Sequence, residues 1–419
     1  MLDRTIAPDF SRNIQFNLIT PDHVKLPSGA EIYFVAGGDQ NVIKVELVYK
    51  AGRWHEKIWG TSHFTSTLLT KGTKTKTSFE IASLFDQQGA HLDIHAGVDF
   101  ITIGLYSLTK RLDSSLQLLA EILNQPVFPE KELQQSQAIY LQNLKVNKEK
   151  TSFLASHLFR KTLFGDEHPY GKELSEEDVQ NLKQQDLVNF HKNQLTNFTV
   201  FVSGKVSEES KKQIIKCFES FQFSPGTDQA HTISATLPSN IYKEKEESIQ
   251  TSLRICKGTI LRSHPDYPLL LFLNHIFGGY FGSRLMKNIR EDKGLTYGIY
   301  SSLHAMKHSS YLVIGTDVNK ENREVAFLEI RKEIQRLRSE EIPSEELDTA
   351  KWHFIGSLQT ELSTSFAHAD KVKNMVLMNL PEDYYTLLIK KISNADASEL
   401  MHLANKYFQE KDFFEIAVG

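Results

Sequence analysis

Cysteine is nearly absent. Two residues in 419, Cys217 and Cys256, lie far apart with no C-x-x-C spacing, which argues against both a disulfide framework and a thiolate zinc site. Long apolar runs are also missing. The longest, Leu269 to Leu273, falls far short of the roughly 20 residues that a spanning helix requires. Neither sign of charge is in excess: 48 Lys and Arg against 52 Asp and Glu leave a net charge of −4, so nothing points to nucleic acid or to a membrane surface as partner. The first ten residues, MLDRTIAPDF, lack a basic stretch followed by an apolar one. The expectation is a chain that is not exported and that works in a reducing cytoplasm.

What is present is ordinary soluble composition, 40% hydrophobic and 24% charged, at a length that suggests two domains or three. Internal similarity indicates two. Phe128-Pro-Glu-Lys-Glu-Leu133 is answered by Ile342-Pro-Ser-Glu-Glu-Leu347, and Asn197 to Gly204 by Asp412 to Gly419, at offsets that differ by one residue. Gly89, before an alternating strand, is answered by Gly294 at a shorter offset, with the difference assigned to a longer connection around Asn319 to Arg323. Val42 to Tyr49, Phe100 to Leu108 and Val200 to Val202 are strand-like by alternation and β-branched content. Leu112, Leu116, Leu119 and Leu123, and likewise Phe327, Ile330, Ile334 and Leu337, recur at helical spacing. The expected class is α+β, two duplicated α/β sandwich domains, each a mostly antiparallel sheet covered on one face by helices. Residues 1–223 form the first, a turn-rich linker spans 224–240, and residues 241–419 form the second.

One histidine begins a motif that nothing completes. The run Gly60-Thr-Ser-His63-Phe-Thr-Ser66-Thr67 offers only the first residue of H-x-x-E-H, in which two imidazoles one helical turn apart hold Zn²⁺ and the glutamate takes a proton. Thr67 stands at the second ligand and Ser66 at the base, hydroxyls unsuited to either task near neutral pH. Its helix should run from an N-cap at Ser62 to Lys71. Read alone, a solitary helix histidine is usually structural. On the strand after Gly89, His91, Asp93 and His95 share one face, a combination of ligand types that binds metals elsewhere. The spacing matches no recognised site, and a polar strand face is the plainer reading.

Further along, Gly282-Ser283 looks like a helix start, Leu285, Met286 and Ile289 a buried stripe, and Gly294 a stop before a strand from Leu295 to Ser301. Arg290 would project from the last helical turn and Tyr297 from the strand face it shares with Ile299 and Ser301. Both are hydrogen-bond donors, able to hold a peptide carbonyl and the oxyanion that develops on it. Gly278 and Gly279 begin a glycine-rich turn with no phosphate-loop spacing, whose backbone could pass close to an extended substrate. A simple turn between helices explains it as well.

Taken in order, His63-Phe64 with Lys71-Gly72-Thr73, Gly89 to Asp99, His168-Pro169-Tyr170-Gly171, and Ser283-Arg284-Leu285 with Arg290-Glu291, Gly294-Leu295 and Tyr297 resemble the insulinase and mitochondrial-processing-peptidase family across nearly the whole chain. The resemblance implies that the remaining zinc ligand would be a glutamate near Asn143, and no carboxylate lies between Leu133 and Lys148. It implies that the strand with Asp93 lines a substrate chamber. It also implies that Arg290 and Tyr297 are the family's arginine–tyrosine pair, facing a zinc site that a second chain can supply. The expected role is a zinc-free, noncatalytic subunit acting with a homologous zinc-bearing subunit on peptide or unfolded protein, with a homodimer conceivable in isolation. The alternatives are a scaffold or peptide-binding protein of the same fold, and an independent peptidase with relocated ligands.

Overall fold

The structure, a computed structural model, describes residue 5 and residues 16–226, 229–233 and 238–419. Most of the first ten residues, and linker residues 227–228 and 234–237, lie outside the described ones, so the export and linker readings are not addressed there.

Two sheets repeat one topology. The first contains β1 (Asp22–Lys25), β2 (Glu31–Ala36), β3 (Val42–Tyr49), β4 (His91–Ala96), β5 (Ile101–Leu108) and β6 (Phe198–Gly204), in the order β1-β2-β6-β3-β5-β4. The second contains β7 (Asn240–Lys243), β8 (Gln250–Gly258), β9 (Ile299–Ala305), β10 (Ser310–Asn319) and β11 (Phe414–Val418), in the order β7-β11-β8-β10-β9. Apart from β1 the orders coincide. Each sheet has one parallel pair, β2 with β6 and β7 with β11, and is otherwise antiparallel. Gly89 (φ 60°) and Gly294 (φ 62°) occupy the same left-handed position before β4 and β9, a conformation open to glycine because it has no Cβ. The matched openings begin the helices Glu130–Lys148 and Ser344–Glu361.

The length difference between the copies is not where expected. Asn319 to Arg323 contains a short turn, Lys320–Asn322, that matches Thr109–Arg111 in the first copy residue for residue. Part of the difference follows Gly294, since β9 starts five residues after that glycine where β4 starts two after Gly89, and part lies in the helix Arg323–Ser339, 17 residues against 13 in Leu112–Asn124. The expected strand from Leu295 is therefore a loop, and Tyr297 lies in it.

Both sheets are covered on both faces rather than one. β3 and β8 are buried along nearly their whole length, the pattern of strands with packing on each side. Each half supplies the second cover for the other. The helix Thr151–Phe164 packs on β8 and β11, and the helix Ser365–Leu377 packs on β2 and β6. Val35, Val48 and Phe201 of the first sheet accordingly join the core of the second half with Ala369 and Val372. Alternation puts Lys44 and Glu46 on that same face of β3. There Glu46 pairs with Lys44 at 3.2 Å and Lys373 at 2.8 Å.

A second joint forms around Tyr170, whose hydroxyl donates to Asp99 at 2.6 Å and accepts from the His308 amide at 3.1 Å. Beside it Trp54 stacks on His308 with centroids 4.0 Å apart, and His168 is buried among Trp54, Phe164, Tyr170 and His231. Burial, then His231 and His308, hold its pKa down at about 4. In the second half, burial and His353 do the same to His275. The unfolded chain takes up these protons first, near the ordinary histidine value of about 6.5, so stability present at neutral pH is lost as pH falls toward about 4. The thermal midpoint should drop between about pH 7 and about pH 5. The drop should shrink in His168→Phe, which keeps a ring beside Phe164.

Candidate functional site

The helix Thr61–Leu68 carries His63 and continues to Lys71 as a tighter turn. Its start differs from the expected one. Gly60, at φ 94°, is the N-cap, and the buried Glu56 carboxylate accepts from the Gly60 amide at 2.9 Å, the Ser62 amide at 2.7 Å and the Ser62 hydroxyl. Ser62 thus donates its hydroxyl instead of capping with it, because a carboxylate is the stronger acceptor for orphan helix amides. Burial pushes the Glu56 pKa up, against the pull of these donors and of Arg53.

A groove of about 490 Å³ gathers His63, Thr67, Asn143, Tyr140 and Glu173. Three of the four degenerate zinc positions therefore converge. The fourth, Ser66, is buried and outside the groove lining. Thr67 donates its hydroxyl back to the His63 carbonyl at 2.9 Å. His63 stands edge-on to Tyr140 at 5.2 Å, and surrounding protein, with Arg53, holds its protonation below the usual range. Burial raises the Tyr140 phenol to about 12, keeping it neutral. Glu173, the one carboxylate in the lining, pairs with Arg160 at 3.2 Å.

This donor set does not fit catalytic zinc, which takes three protein ligands. Among the described residues no group of three or more His, Cys, Asp or Glu is placed to hold a metal. That covers His91, Asp93 and His95, which are exposed on the edge strand β4.

Arg290 and Tyr297 meet in the second half. Ser283, Leu285, Met286 and Ile289 are buried, and Arg290 lies on the wide helical turn Met286–Asp292. The inserted loop brings Tyr297 to it, with the guanidinium carbon 5.3 Å from the phenol ring centroid. Tyr297 is 91% exposed, so its hydroxyl is open to a ligand. The glycines before this helix divide. Gly278 is buried, and a Cβ there would lie 2.7 Å from that of Ser301 and 2.8 Å from the Ser301 amide. Its close approach is to β9. Gly279 is exposed. Phe281, which no sequence pattern marks, places its ring 4.7 Å from the Arg290 guanidinium. The groove at His63 is lined wholly by the first half, and Arg290 and Tyr297 are not among its lining residues.

Residues 38–174 match the family described as insulinase (peptidase family M16), and residues 181–354 match the peptidase M16 inactive domain. An uncharacterized zinc protease of Bacillus subtilis, YmxG, is 26% identical over 86% of this chain and 88% of its own length. A Helicobacter pylori relative described as a non-peptidase homolog is 22% identical over 81% and 80%. Among solved structures, a peptidase M16 inactive domain from Pseudomonas fluorescens superposes with a TM-score of 0.88 at 25% identity, covering 95% of this chain and 98% of that one. A protease from Helicobacter pylori gives 0.87 at 20% identity, over 96% and 100%.

Proposed function

The chain belongs to the insulinase family, peptidase family M16, and on that premise we propose that it is the zinc-free subunit of a heterodimeric metallopeptidase, presenting Arg290 and Tyr297 to a peptide held at a homologous subunit's metal. One contrast carries the reading. The groove at His63 has lost its second ligand, its base and its distant glutamate, while the arginine–tyrosine pair is assembled and open. In this family the metal and that pair can be divided between two chains. Two donors facing a scissile carbonyl would orient it and stabilise the negative charge that develops on its oxygen. Asp93, exposed on the edge strand β4, is suited to line the peptide's path, and Gly279 leaves backbone open beside Arg290's helix. Among the described residues no helix is long and apolar enough to cross a membrane. Both cysteines are free, with Cys217 pushed up to about 12 by burial, which fits a reducing cytoplasm.

Co-expression with a homologue carrying a complete H-x-x-E-H should give a heterodimer that cleaves unfolded casein, while the separate chain does not. Failure to associate at micromolar concentration would remove the proposal's basis. A scaffold role is the second reading, favoured by the relative described as a non-peptidase homolog. It predicts association without any gain in cleavage.

A further inference from the structure

We propose that Phe281 is the positioning residue of Arg290, an aromatic platform that fixes the guanidinium for the substrate while leaving all its donors free. The inference rests on the subunit reading above. Phe281 is 63% exposed, so its ring is reachable from the surface at the point where Arg290 lies. The turn before it shows why it points outward. Gly282 packs against Tyr280, where a Cβ would come within 2.8 Å of the ring, and Tyr280 lies back on His275 with centroids 4.5 Å apart and planes 10° off parallel. Tyr280 is thus drawn inward, and Phe281, next in sequence, is left outside over Arg290.

The guanidinium lies over two rings, 4.7 Å from the Phe281 centroid and 5.3 Å from that of Tyr297. Among the described residues it has no carboxylate partner within ion-pair distance. That difference matters. Arg284 and Arg331 are held by Glu346 and Glu415 through paired hydrogen bonds, which occupy the donors of a planar fork. Ring faces attract the cation through their quadrupole and take no N–H. An arginine held by rings in place of a carboxylate is positioned without an acceptor on its N–H groups, which leaves them for a carbonyl oxygen. Phe281 contributes the closer ring, and unlike Tyr297 it has no hydroxyl to offer the substrate, so its part is orientation.

The test uses the pair reconstituted with the zinc-bearing homologue and a quenched fluorescent peptide library, with Phe281→Leu, Phe281→Trp, Arg290→Ala and the double variant Phe281→Leu/Arg290→Ala. Leucine keeps apolar bulk without the quadrupole, and tryptophan strengthens it. Phe281→Leu should lower kcat about 2- to 5-fold, the size of one exposed cation–π contact, with KM, zinc content and assembly unchanged. Phe281→Trp should retain activity, and Phe281→Leu should add nothing once Arg290 is alanine. On the isolated chain, the Arg290 side-chain Nε–Hε resonance should lose its slow rotation and exchange protection in Phe281→Leu and keep them in Phe281→Trp. If Phe281→Leu matches the unmodified pair while Arg290→Ala is impaired, the platform is wrong and the subunit reading stands. An equal loss from Phe281→Leu in the Arg290→Ala background would overturn the platform too. If Arg290→Ala itself changes nothing, the subunit reading fails and the platform falls with it.

Discussion

Arg290→Ala and Tyr297→Phe should each lower the turnover of the assembled pair by about 10²–10³, equivalent to about 2.7–4 kcal/mol of lost oxyanion stabilisation. Assembly and zinc content should stay as they were. The phenylalanine variant is the cleaner of the two, because it keeps the ring beside Arg290 and deletes only the hydroxyl. Tyr297 is almost wholly exposed, so removing that hydroxyl leaves no buried group unpaired and should not destabilise the fold. His63→Ala should change turnover little, since Thr67 is engaged with the helix backbone and Asn143 is an amide. Steady-state kinetics on the three variants decides the point. Abolition of activity by His63→Ala, with the other two unaffected, would reverse the assignment.

Glu46→Ala should be the most damaging substitution for stability, costing about 3–5 kcal/mol in denaturant unfolding, as expected when one member of a buried charge cluster is removed. Glu46 is 6% exposed and lies between Lys44 and Lys373, where the two halves meet. Burial lowers the Lys373 pKa, but Glu46 and Asp370 outweigh it and keep the net shift upward, so losing Glu46 strands positive charge in the joint. Asp370 still reaches Lys373 at 2.8 Å and Lys44 at 3.8 Å, which places the expected cost toward the lower end. Replacing Lys44, Glu46 and Lys373 together by Met, Leu and Met should cost less than Glu46→Ala alone, because the one charge left behind, Asp370, is half exposed and can be solvated. A single-variant cost below about 1 kcal/mol, the worth of an exposed pair, would show that the cluster is solvated.

The sequence made the duplication legible because its signals are periodic. Leucines at helical spacing and the paired Pro-x-Glu openings recur in both halves, and Gly89 and Gly294 mark the same left-handed turn. Loops have no period, and there the reading slipped. The three extra residues after Gly294 have no periodic signal, and they turn the expected strand at Tyr297 into the loop that gives it its exposure. The cap of the His63 helix was missed for a related reason. Ser62 has the right side chain, but Glu56, brought round by the preceding turn, offers an acceptor that no local pattern reveals. Cover on both faces of each sheet depends on the exchange of helices Thr151–Phe164 and Ser365–Leu377, a long-range fact. On that face of β3, Lys44 and Glu46 read as solvent-facing and only Val48 hints at a cover. That Ser66, Thr67 and Asn143 make poor zinc ligands follows from the chemistry of hydroxyls and amides and needs no knowledge of the fold. Phe281 was not legible, because only geometry shows which way an aromatic among glycines points.

Zinc analysis of the pure chain, together with peptidase assay before and after chelation, bears most directly on the central claim that this subunit holds no catalytic metal of its own. The account predicts zinc well below one equivalent per chain and no cleavage in either assay. One zinc per chain with chelator-sensitive cleavage by the chain alone would contradict it.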